Sequence, residues 1–147
     1  MAIVADTGGI FALYDAKDRH HQVISECLRL RPERIHLPSP LLGELGYVLL
    51  RWLGNEALIQ FLADVEANAF QIEPFLTEDL RRCRALVEKY SDLELGLCDA
   101  AVVATAERLG TNRILTVDER DFRVIRSRLG EAFVLLPSDL SKGKRRG

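Results

Sequence analysis

The chain has little of what marks secreted, membrane-embedded or nucleic-acid-coating proteins. Its three cysteines, Cys27, Cys83 and Cys98, are an odd number without C-x-x-C spacing. Zinc needs clustered ligands and disulfide frameworks need pairs, so neither is supported, and reduced thiols in a cytosol are expected. The N-terminus shows no basic stretch leading into an apolar run and a small-residue cleavage site, so no signal peptide is expected. Apolar runs are short. The longest, residues 41–53, is broken by Gly43, Glu44, Gly46 and Arg51 and falls short of the ~20 residues of a membrane span. Excess charge is also lacking: 20 Lys and Arg against 22 Asp and Glu leave a formal −2. No global basic field advertises nucleic acid, so any phosphate-binding surface has to be local.

What the chain does have is 147 residues, 48% of them apolar, enough for one domain with its own core. Strands are expected at residues 3–5, 34–37, 70–73, 113–117 and 133–136. Helices are expected at about 10–16, 18–30, 39–54, 55–67, 77–90 and 97–110, with a short one from about 121. The punctuation is physical: a Gly8-Gly9 turn, Asp18 and Ser39-Pro40 as helix starts, a possible Ser91-x-x-Glu94 capping box, and Gly110 as a helix stop. Strands alternating with helices predict an α/β fold with a parallel sheet covered on both faces. The domain is expected over 1–140, with residues 141–147 a basic, frayed tail.

In such a sheet, strand C-termini and helix N-termini share the edge where ligands bind. Asp6 follows the first strand and Asp118 the fourth. Glu44 and Asp99 fall early in helices, each within an apolar stretch (Leu41 to Tyr47, Leu97 to Val102). Buried acids that crowd together repel unless a cation joins them, and carboxylate oxygens suit Mg²⁺ or Mn²⁺. The plainer readings are helix capping by Asp6, exposure of Glu44 and a turn role for Asp118.

Asp6-Thr7-Gly8 also matches the loop triplet of aspartic proteases. Those carry it in a β-rich fold, one copy per lobe or subunit, whereas a helical pattern follows it here. A phosphatase of the Asp-x-Asp-x-Thr type is disfavoured too, because no second Asp follows Asp6.

The residues instead resemble a PIN domain, most closely the single-domain ribonuclease toxins of the VapBC type. Asp6-Thr7 resembles the opening Asp-Ser/Thr, Glu44 the second acid, and Asp99-Ala100 with Ala104-Thr105-Ala106 the Asp-Ala…Ala-Thr-Ala helix. Thr116-Val117-Asp118-Glu119-Arg120-Asp121-Phe122 resembles the closing Thr-x-Asp-x-x-Asp-Phe. Two departures are mild: Gly8-Gly9 replaces bulkier residues, and Gly96 stands where a serine often precedes the third acid.

The resemblance implies a three-layer α/β/α PIN-like fold with about five strands. It also implies a Mg²⁺- or Mn²⁺-dependent endoribonuclease toxin, with Asp6, Glu44, Asp99 and Asp118 as catalytic and metal-holding acids. Further implications are an RNA substrate, a cognate antitoxin, a homodimer and a cytoplasmic location. The alternatives are a PIN nuclease in RNA processing and a non-catalytic PIN scaffold. Asp121 is a fifth candidate that equally well caps the short helix, and Thr7 could position an acid or a water. His20 and His21 read as surface or packing residues. Arg81, Arg82, Arg84, the Arg120-Arg123-Arg126 face and the basic tail are candidate phosphate contacts. Leu41, Leu42, Tyr47, Trp52 and Phe61 are either core or interface.

Overall fold

The computed structural model describes residues 2–140, so the basic tail at 141–147 lies outside the described residues. Five strands, β1 (Ile3–Ala5), β2 (Ile35–Pro38), β3 (Gln71–Glu73), β4 (Arg113–Leu115) and β5 (Val134–Leu136), form one sheet in the order β3-β2-β1-β4-β5. Every pairing is parallel. The helices are α1 (Thr7–Tyr14), α2 (His21–Arg29), α3 (Leu41–Leu53), α4 (Asn55–Glu66), α5 (Thr77–Lys89), α6 (Leu97–Leu109) and α7 (Arg120–Val124). No helix among the described residues is long and apolar enough to cross a membrane.

Strand side chains alternate between two cores, one on each face of the sheet. Val4, Ile114 and Leu135 pack with Cys83 and Leu86 of α5, the small residues Ala100–Ala106 of α6, and Phe122. Ile3, Ala5, Leu37, Leu115 and Leu136 pack with Ile10, Ile24, Leu45, Leu49 and Phe61 of α1 to α4. The chain winds outward from β1 to β3 and then crosses back to β4 and β5. The topological switch point therefore falls between the C-terminal ends of β1 and β4, where a parallel sheet opens a crevice.

Several local expectations need correction. Gly8 and Gly9 are not a turn but the first helical turn of α1, which starts directly off β1 because Asp6 caps it. The second helix begins at His21 rather than Asp18, whose carboxylate instead accepts the His20 N–H in a turn. Ser91–Leu93 is a single 3-10 turn ending on left-handed Glu94 (φ 51°), so no capping box forms there. The fourth strand ends at Leu115, two residues early, where Thr116 turns its hydroxyl to other partners. Gly110, in contrast, stops α6 in the left-handed conformation (φ 71°) that its position required.

Candidate active site

Asp6 is the most deeply placed of the acids. Strand β1 delivers it to the switch point, where its Oδ1 accepts the Gly9 N–H at 2.7 Å and its Oδ2 accepts the Thr116 hydroxyl. Capping and site membership are therefore not alternatives for this residue. Desolvation by burial is the main force on its carboxyl and pushes it up to about 7. The bonds from Thr116 and Gly9 pull the other way, and the charges of Asp99 and Asp118 push it up further.

The remaining acids converge on this point to different degrees. Asp99, in the first turn of α6, is half-buried, and its carboxyl is pushed up to about 6. Burial is the main cause, followed by the charges of Asp121, Asp118 and Glu44. Asp118 is exposed, two residues beyond Thr116, whose Oγ1 accepts the Asp118 N–H at 3.0 Å. Glu44 departs from the expectation of burial. Leu41 and Leu45 take the core side of α3, and Glu44, about 100° round the helix from Leu45, comes out exposed on its flank. It still reaches α6, where the Cys98 thiol donates to its carboxylate; burial and this partnership push the thiol up to about 12. Asp121 lies inside α7, not at its cap, and it is the acid whose charge acts most strongly on Asp99.

The donor set is oxygen throughout, as hard divalent cations require. Two buried oxygens, Thr7 Oγ1 and Asp121 Oδ1, have no hydrogen-bond partner, and carboxyls held this high are destabilised as anions without a cation nearby. Among the described residues, no three His, Cys, Asp or Glu side chains stand at the spacing of a protein-only metal cage. Mg²⁺ keeps several waters, so acids could also reach it through water rather than directly.

Thr116 is the positioning residue that the sequence reading passed over in favour of Thr7. Its single hydroxyl proton goes to Asp6 while its oxygen accepts the Asp118 N–H, tying the ends of β1 and β4 together. Its sequence signal is its place at the head of the Thr-x-Asp-x-x-Asp-Phe stretch, two places before a strand-end acid, which by itself assigns it no role of its own. Thr116→Val keeps the shape and removes the tie. Any activity that depends on an ion held by Asp6 is expected to fall about 10–100-fold, the usual cost of losing a group that orients a metal-binding carboxylate, and to need more Mg²⁺. Thr116→Ser should restore both, and kinetics at varied Mg²⁺ check this.

The expected basic contacts are mostly committed elsewhere. Arg82 forms a forked pair with Glu107 at 2.7 and 3.0 Å, Arg84 pairs with Glu88, and Arg123 pairs with Asp139 and Glu119. Arg120 stays largely exposed, 3.7 Å from Asp121 at the acidic edge. His21 bonds to the Ala12 carbonyl, a packing role. Leu41 and Phe61 belong to the core, whereas Tyr47 and Trp52 are about two-thirds exposed at 66% and 65%, alongside exposed Leu50, Ile59 and Leu62.

The model of the PIN domain family matches residues 3–127. Ribonuclease VapC26 of Mycobacterium tuberculosis is 28% identical over 135 residues, covering 92% of this chain and all of that protein. Among solved structures, Mycobacterium tuberculosis VapC20, a Sarcin-Ricin loop cleaving toxin, is similar with a TM-score of 0.73 at 20% identity, over 80% of this chain and 90% of that one. VapBC2 from Rickettsia felis, bound to a DNA fragment from its promoter, gives a TM-score of 0.66 at 18% identity, over 92% and 97% of the two chains. At these identities the two structures show a shared fold.

Proposed function

Because this chain belongs to the PIN domain family, we propose that it is a Mg²⁺- or Mn²⁺-dependent endoribonuclease, the toxin of a toxin–antitoxin pair. The observation that carries the reading is the electrostatically linked set of acids at the switch point, two of them with raised carboxyl pKa values. A ribonuclease of the VapC type, related along nearly the whole chain, supports the choice of RNA as substrate.

Asp6, Glu44, Asp99 and Asp118 would hold the ion, with Asp121 beside Asp99. When bound, such an ion polarises the scissile phosphate and lowers the pKa of the attacking water. Gly9 and Thr116 fix the direction of the Asp6 carboxylate, so its oxygens need no reorganisation when the ion arrives. Arg120, at the edge of the acids, offers a phosphate contact. RNA cleaved at a chosen position is read best where it is single-stranded or looped. The exposed apolar side chains of α3 and α4 support contact with an antitoxin or a second copy of the chain. An RNA substrate would favour action in the cytoplasm.

Cleavage of RNA by the purified chain tests the reading. Activity should require Mg²⁺ or Mn²⁺, vanish with EDTA and return when the ion is restored. The same ion should raise the melting temperature, since a ligand bound only by the folded state stabilises it. Cleavage that persists at full rate in EDTA would overturn the proposal.

A further inference from the structure

Beside the acids lies a cavity of about 240 Å³ that their chemistry does not use. Thr116, Val117 and Glu119, from the loop between β4 and α7, form one wall. His20 and Val23, at the start of α2, form another, and Pro137 and Ser138 close it beyond β5. Thr116 belongs to both places: its hydroxyl holds Asp6, and the same residue lines the cavity. Anything seated here is therefore next to the Asp6 carboxylate.

The lining says what kind of group fits. Among the described residues no Lys or Arg lines the cavity. Val23, Val117 and Pro137 offer apolar surfaces, and Val23 is 44% exposed although its helix neighbours Ile24 and Cys27 are buried. His20 supplies a ring. Its Nε2 accepts from Arg19 at 3.1 Å, which places the proton on Nδ1 and leaves an N–H donor suited to a base carbonyl. The volume lies below the roughly 300–1,000 Å³ of pockets for drug-sized ligands and suits a single flat heterocycle. Single-stranded RNA is commonly read this way, by splaying out a base that stacks on a side-chain ring and hydrogen-bonds at its edge.

We propose that this cavity is a subsite for one unstacked nucleobase of the RNA strand, adjoining the scissile phosphate. The inference rests on the ribonuclease reading, but its test involves no cleavage. In the metal-free Asp6→Asn chain, UMP, CMP, AMP and GMP are titrated to millimolar concentration, with ribose 5-phosphate as control. The resonances of the His20 ring and of the Val23 and Val117 methyls are followed by NMR. At least one nucleotide should move them while ribose 5-phosphate does not. Val23→Trp, which fills the cavity from an exposed position, should weaken that binding about tenfold, as loss of a stacking contact does. His20→Ala should weaken it comparably, and it carries the comparison should Val23→Trp fail to fold. Resonances that no nucleotide moves, or that ribose 5-phosphate moves equally, would overturn the subsite and leave the hollow to the sugar–phosphate backbone or to a partner protein. Base binding by the variant together with no RNA cleavage by the wild-type chain in Mg²⁺ or Mn²⁺ would keep the subsite and end the ribonuclease reading.

Discussion

Asp6→Asn is expected to abolish RNA cleavage while making the metal-free protein more stable at neutral pH. The first effect follows from removing a charged oxygen that the proposed ion would bind. Losing only the groups that orient such ligands costs about 10–100-fold, so more than about 100-fold is expected here. The second follows from the raised pKa. Because the folded-state carboxyl titrates near 7, above its ordinary value of 3.8, the fold favours the protonated acid. Its contribution to stability is full below the unfolded value and is lost as pH rises through about 7. At pH 8 the ionised group costs the metal-free fold on the order of 4 kcal/mol, taking about 1.4 kcal/mol per pKa unit over the shift from 3.8 to about 7. Asparagine is a neutral isostere: its carbonyl can still accept the Gly9 N–H, and its amide can donate to Thr116 Oγ1. Thermal melts of both proteins in EDTA from pH 5 to 8 should diverge with rising pH, the variant melting higher. Addition of Mg²⁺ should narrow the gap by stabilising wild type alone. Parallel melting curves, or wild-type cleavage by the variant, would contradict the assignment of Asp6.

Gly9→Ala is the second large effect, and its direction opposes helix propensity. Alanine is favoured over glycine by about 1 kcal/mol inside a helix. At position 9, however, a Cβ would stand 2.7 Å from the Leu115 carbonyl oxygen and 3.1 Å from its carbon, both backbone atoms of the central sheet. Neither can swing away, so α1 must retreat from β4 and take the Asp6 cap with it. A loss of about 1–3 kcal/mol or more is expected, the usual cost of overpacking, together with a fall in activity. Gly43→Ala provides the contrast. A Cβ there meets nothing within 4 Å on α3, so the propensity gain should appear unopposed. Chemical denaturation of the three proteins separates the effects, and equal stability at positions 9 and 43 would refute the close approach.

These two glycines also show where sequence reading reached its limit. Alternating strands and helices, the parallel sheet and the arrival of Asp6 and Asp118 at one edge follow from local patterns and the topology they force. Glycine in a short window signals a turn, whereas Gly9 is required by the Leu115 carbonyl and Gly8 sits against the Val117 side chain, both far along the chain. Glu44 was misjudged for a related reason. Its apolar neighbours occupy the core side of α3, and one residue's offset on a helix is enough to turn an acid outward. Thr116 and Asp121 gained weight only when the fold set them against Asp6 and Asp99.

The Thr116–Asp6 tie closes a span of 110 residues, and it has a consequence for how the chain is made. Within this domain Asp6 leaves the ribosome well before Thr116, and β1 then waits as a sheet edge with β2 as its early neighbour. The strand that orients Asp6 follows only after β2 and β3, so a nascent chain that has not reached β4 carries Asp6, Glu44 and Asp99 without the bond that aims Asp6. A cell translating this message would meet the assembled acids only once β4 has emerged, a delay built into strand order.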